Sequence, residues 1–96
     1  MREFYVYILT NKKHIVLYTG VTGNLYERVQ QHQSGQGSKF TARYKVNKLV
    51  YVEVFSSPLD ALEGEKQIKA GSRQDKLDLI HEVNPAWKDP LTDWIF

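Results

Sequence analysis

Two runs rich in aromatic and β-branched residues, 3–9 and 15–21, lie only a few residues apart near the start of the chain. Runs of this composition read as strands. The polar connection Asn11-Lys12-Lys13-His14 between them is short, so an antiparallel hairpin is the simplest topology. With the turn centred between Lys12 and Lys13, Tyr7 falls opposite Tyr18 and both side chains share one face of the sheet. A slip of one residue would put them on opposite faces.

The remaining elements follow from their boundary residues. Thr22-Gly23-Asn24 breaks the second strand, and Asn24 is placed to cap a helix from Leu25 to about Gln33. Ser34-Gly35-Gln36-Gly37-Ser38 ends that helix and opens a loop running to about Asn47. Leu49–Phe55 reads as a third strand. A second helix begins near Pro58, where a missing N–H does no harm, and stops at Gly71. Ser72 with Asp75 three residues on resembles a capping box and starts a third helix, which Asn84-Pro85 ends near Val83. The expected architecture is α+β: a small, mainly antiparallel sheet made of a hairpin plus a third strand, covered by three helices, in the order ββαβαα. One domain spans residues 1–89, followed by a tail, 90–96. Trp87, Trp94 and Phe96 predict that part of the C-terminal segment packs back on the domain, since exposed tryptophan forgoes a large burial gain.

Ninety-six residues with 42% hydrophobic and 25% charged content suit one folded domain. The absence of cysteine excludes disulfides and thiolate metal sites. No apolar run approaches the roughly 20 residues that span a bilayer, and Met1-Arg2-Glu3-Phe4-Tyr5 does not read as a signal peptide. The expected location is cytoplasmic, with no membrane partner. Charge is unevenly spread. From Arg28 to Val52 there is no Asp or Glu, while Arg28, Lys39, Arg43, Lys45 and Lys48 are all basic. From Glu53 onward nine acids face five bases. A basic middle that also carries Phe40 and Tyr44 is either a solvated loop or a surface that attracts phosphates and stacks bases.

Three residues break the helical patterns. At about 100° per residue, Arg28 and His32 fall with Leu25 and Val29 on the arc that should meet the sheet. They are either a snorkelling arginine and a hydrogen-bonded structural histidine, or working parts of a site. On the second helix, Ala61, Leu62 and Ile68 define an apolar stripe with Glu65 in its middle. An unpaired carboxylate there is strongly unfavourable, so a cation must neutralise it, either Arg28 or a metal ion. Glu63 lies on another face. Tyr7 and Tyr18 have a plain reading too, because tyrosine favours strands. Tyr5, Tyr26, Tyr44 and Tyr51 read as packing or surface residues. No zinc spacing, phosphate loop or nucleophile elbow is present.

In their order along the chain these residues resemble the GIY-YIG (URI-type) endonuclease domain, in particular its small single-domain bacterial members. Tyr5-Val6-Tyr7 stands at the family's first motif and Tyr18-Thr19-Gly20 at its second. Asn24 to His32 resembles the helix that carries the catalytic arginine and, four residues on, a tyrosine or histidine. Ala61 to Lys69 resembles the metal-binding glutamate helix, and Asn84-Pro85-Ala86-Trp87-Lys88-Asp89 is similar to the ending of the small members. Tyr5 replaces the glycine of the first motif and Thr19 the isoleucine of the second. Val21 stands where some members have lysine, so a phosphate contact there would have to come from elsewhere, such as Lys39 or Lys69. The resemblance implies a metal-dependent endonuclease that hydrolyses phosphodiester bonds in nucleic acid, DNA rather than RNA, in repair, recombination or processing. It implies Glu65 as ligand to Mg²⁺ or Mn²⁺ and Arg28 as donor to the phosphoryl oxygens. Tyr18 or His32 would be general base, with Tyr7 orienting the water or Tyr18. Lys39, Arg43, Lys45 and Lys69 are the expected nucleic-acid contacts. The alternative is a nucleic-acid-binding module with weak or no nuclease activity. A stand-alone domain of this size has little surface with which to grip a substrate, so a homodimer or partner protein is the expected aid.

Overall fold

The computed structural model describes residues 2–89. Its elements are β1 (Phe4–Thr10), β2 (Leu17–Thr22), α1 (Leu25–Gln33), α2 (Lys39–Tyr44), β3 (Lys48–Phe55), α3 (Pro58–Ala70) and α4 (Arg73–Val83). The three strands form one antiparallel sheet in the order β2-β1-β3. The α+β architecture matches the sequence reading, with one addition: the expected loop after α1 contains the short helix α2. Ser38 caps it by accepting from the Thr41 N–H at 3.1 Å, and Lys45 closes it in the left-handed conformation (φ 54°). Two glycines just upstream disguise this helix as loop.

Central position explains the apolar run of β1. Val6 and Ile8 pack on one side against Ala61 and Ile68 of α3 and Ile80 of α4. Tyr7 and Leu9 pack on the other against Val29 of α1, Val46 and Leu49. Each such aliphatic side chain, once buried, contributes about 1.5–3 kcal/mol. Leu62, expected in the α3 stripe, is exposed instead. It sits about 100° from Ala61, whereas Glu65 and Ile68 stay within the same turn-to-turn row. Thr19 occupies a buried place where its hydroxyl finds no hydrogen-bond partner among the described residues, a cost of about 1–3 kcal/mol relative to a paired group.

The hairpin register differs from expectation by two residues. Tyr7 pairs with Gly20, and Tyr18 with Leu9. The cause lies in the connection: the Asn11 side-chain carbonyl accepts from the Ile15 and Val16 N–H groups at 2.8 and 3.1 Å. That holds both residues in the loop and delays β2 to Leu17. A shift of two preserves the side-chain period, so Tyr7 and Tyr18 still share a face as diagonal neighbours.

A second irregularity anchors the C-terminal segment. The β1–β3 ladder skips a residue between Ile8 and Leu9, leaving Val50 as a bulge. The Asn84 amide donates to the Val50 carbonyl at 2.9 Å and to the Lys88 carbonyl at 2.8 Å, while its oxygen accepts from the Lys88 N–H at 3.0 Å. Asp89 accepts from the Leu49 N–H at 3.1 Å. Trp87 packs back as expected, stacked on His14 with ring centroids 4.5 Å apart. Trp94 and Phe96 lie outside the described residues. Among those described, no helix is long and apolar enough to cross a membrane.

Candidate active site

Alternation along β1 turns Tyr7 towards α1, and the helical phase of α1 turns His32 back towards Tyr7. The Tyr7 hydroxyl lies 3.1 Å from His32 Nε2, with both side chains fully enclosed. Two glycines make this approach feasible. Any side chain at Gly20 would collide with the Tyr7 phenol, and any at Gly37 with the His32 ring. The second motif's glycine is thus required by the first motif's tyrosine.

The other imidazole nitrogen is engaged as well. His32 Nδ1 lies 3.0 Å from Thr41 Oγ1, which in turn donates to the Ser38 carbonyl at 3.2 Å. Thr41 Oγ1 also lies 2.9 Å from Ser38 Oγ. Since the Tyr7 hydroxyl accepts from Arg28 and sends its own proton to Nε2, the arrangement that satisfies every partner has Thr41 accepting from Nδ1–H. The neutral ring then carries its proton on Nδ1 and accepts the Tyr7 proton at Nε2. The tautomer follows from this network of partners. Burial lowers the His32 pKa, and the nearby Arg28 cation lowers it further, so the ring is held neutral. Burial raises the Tyr7 pKa. Tyr18 and Glu65 push it in the same direction, while the Arg28 guanidinium pulls against them. Tyr7 therefore keeps its proton at neutral pH and acts as donor to His32.

Tyr18 stands at the rim. It is half-buried, its ring is 5.4 Å from that of His32, and on its outer side it stacks with Phe40 of α2 at 6.4 Å. Arg28, also half-buried, donates to the Gln31 side chain at 3.0 Å and interacts with the Tyr7 hydroxyl. The Glu65 side chain is 15% exposed, and Lys69, one turn on, places Nζ 3.0 Å from Oε2, a pairing the sequence did not suggest. Arg28 is directed to Tyr7 and Gln31 instead. The structure thus gathers Tyr7, Tyr18, Arg28 and His32 in one cluster, with Glu65 close enough for its charge to be felt at the Tyr7 phenol. Lys39 and Arg43 lie on α2 and Lys45 at its end, while Lys69 is the partner of Glu65. Tyr51 packs in the core, its phenol pushed up to about 12 by burial and by the Glu53 carboxylate.

Sequence reasoning missed Ser38, Thr41 and Gly37. Ser38 with Thr41 three residues on is a capping signal, but a six-residue helix beside two glycines gives it little weight.

The profile of the GIY-YIG catalytic domain matches residues 3–78. The chain belongs to the GIY-YIG family. It is 44% identical over 82 residues to the UPF0213 protein SH2523 of Staphylococcus haemolyticus, covering 85% of this chain and 99% of that one. It is also 44% identical over 86 residues to a UPF0213 protein of Syntrophus aciditrophicus, covering 88% and 97%. The solution NMR structure of the UPF0213 protein BH0048 from Bacillus halodurans shares the fold, with a TM-score of 0.59 and 32% identity over 94% of this chain and 97% of that one. Membership of the GIY-YIG family indicates a nuclease-type activity, with nucleic acid as substrate. The cluster around Tyr7 is built from the residues that carry the GIY-YIG resemblance.

Proposed function

We propose that the protein is a divalent-metal-dependent endonuclease acting on phosphodiester bonds in DNA. The observation that carries this reading is the convergence of two phenols, a neutral histidine and a guanidinium around one point, with a carboxylate in electrostatic reach.

Among the described residues no three His, Asp or Glu side chains converge as a metal cage. A lone half-buried carboxylate suits Mg²⁺ or Mn²⁺, which bind through one or two carboxylates and take the rest of their shell from water and phosphate. The Lys69 ammonium beside Glu65 marks the carboxylate as a place where positive charge is stabilised. When bound, the metal would neutralise charge on the leaving oxygen. The chain's own residues supply the rest. Arg28 is placed to donate to the phosphoryl oxygens as charge builds. Tyr18, the more accessible phenol, faces the attacking water and takes its proton. This requires Tyr18, whose charge is felt at the Tyr7 phenol, to pass its own proton to Tyr7 as Tyr7 passes its proton across 3.1 Å to His32 Nε2. His32 carries the proton only in passing, because burial and the Arg28 cation disfavour the imidazolium and drive its release. Its burial bars it from touching water directly, so it works through the phenols.

Arg28→Ala and Glu65→Ala should each lower Mg²⁺-dependent cleavage by at least about 100-fold, with circular dichroism unchanged. Cleavage at the wild-type rate by both variants would refute the proposal. The alternative, a binding module with little hydrolysis, draws support from the Glu65–Lys69 pair, which leaves the carboxylate satisfied without metal. Salt-sensitive DNA binding with no cleavage in Mg²⁺ or Mn²⁺ would select it.

A further inference from the structure

The outer face of α2 carries two large rings that the core does not use. Phe40 and Tyr44 are 45% and 46% exposed, with ring centroids 5.0 Å apart. The α2 residue that packs inward is Thr41. Leaving both rings in water forgoes a burial gain worth several times that of a surface ion pair. The rings also form a continuous series. Phe40 stacks on Tyr18 at 6.4 Å with planes 27° apart, so the exposed aromatics lead directly to the phenol at the rim of the catalytic cluster. The Arg43 guanidinium sits 5.5 Å from the Tyr44 ring centroid. Lys39, Arg43 and Lys45 surround the platform, and no acid occurs anywhere from Arg28 to Val52.

We propose that this face of α2 is a stacking platform for unpaired bases, so that the DNA strand presented to the site is single-stranded where it crosses α2. In a duplex both faces of each base are covered by its neighbours, and such rings have nothing to stack on. In a single strand every base offers a π-face, and a basic surround tracks the backbone. The charge of the patch fits a polyanion, and its continuity with Tyr18 directs the strand to the catalytic residues. The inference deepens the nuclease reading and rests on it for the identity of the site, but the binding it asserts can be measured separately.

The test is binding of a fluorescein-labelled oligothymidylate and of a labelled duplex of equal length, in EDTA, followed by cleavage of both with Mg²⁺. Phe40→Ala and Tyr44→Ala should each weaken oligothymidylate binding about 5- to 100-fold and change duplex binding less than about twofold. Phe40→Leu keeps the apolar bulk beside Tyr18 but has no π-face, so it should bind like Phe40→Ala, while Phe40→Trp should bind like wild type. Wild-type affinity in Phe40→Leu, or equal losses for duplex and single strand, would overturn the platform. Loss of single-strand binding in these variants without Mg²⁺-dependent cleavage by the wild type would sink the nuclease reading and leave the platform standing. Cleavage indifferent to both ring substitutions and to strandedness would do the reverse.

Discussion

His32 was visible in the sequence as a histidine on an apolar helical face, but a face says only that it needs partners. Its two partners come from 25 residues upstream and 9 downstream, and no helical or strand period links such positions. Thr41 fixes the role of the ring, because it leaves Nε2 as the acceptor. Thr41→Val should remove the acceptor for Nδ1–H and favour the opposite tautomer, with Nε2–H directed at Tyr7. We expect a loss in kcat of about 10- to 100-fold, a displaced acid limb of the pH–rate profile, and a shift of the His32 proton from Nδ1 to Nε2 in ¹⁵N spectra of the imidazole. Thr41→Ser should restore all three. An unchanged tautomer in Thr41→Val would remove the positioning role. Arg28 and Glu65 were legible in a coarser sense, as charges on faces where charge needs a reason. Their partners were not: the sequence offered Arg28 or a metal ion for Glu65, and the structure pairs it with Lys69 one turn on.

The strands were readable from their aromatic and β-branched runs, and the long helices from their boundary residues: Asn24, Ser57 and Ser72 all accept from a backbone N–H at the third helical position. The hairpin register was not readable. It depends on a single side chain, Asn11, withdrawing two N–H groups from the ladder. The β3 bulge was also hidden, because a bulge adds a residue without altering composition. Its discharge onto Asn84 gives the Asn-Pro ending a physical reason. Asn84→Ala would leave the buried Val50 carbonyl without this donor and release the turn to Lys88. Destabilisation of about 2–3 kcal/mol is expected, read as a lower urea midpoint. A change below about 0.5 kcal/mol would mean that the C-terminal segment does not hold the bulge.

Across the whole molecule the charges are segregated by layer. The α1–α2 side of the sheet carries the basic, aromatic surface. On the α3–α4 side, Glu53, Asp60, Glu63, Asp75, Asp78 and Glu82 line a groove of about 630 Å³. A polyanion is attracted to one side and repelled from the other, which orients the encounter before contact. Two histidines with lowered pKa make the fold sensitive to acid. Burial lowers the pKa of His32, and of His14, where Lys48 adds to the effect. A histidine with a lowered folded pKa leaves the unfolded chain holding more protons, so stability rises with pH through this window. Stability should be level above the ordinary histidine value of 6.5 and fall as pH drops below it. Denaturant midpoints at about pH 8, 7, 6 and 5 measure it. A higher midpoint at the acid end would contradict the lowered pKa of both rings.

The helix α2 faces two ways, with Phe40 and Tyr44 outward and Thr41 inward against His32. On the proposed reading, grip and chemistry hang on the same turn and a half of helix. A strand that levers α2 away from the sheet loosens the latch on the imidazole, and one that presses it home tightens it. Such a domain needs no separate lid to tell a well-seated strand from a poorly seated one, because the handle that holds the strand is also the bolt on the proton path.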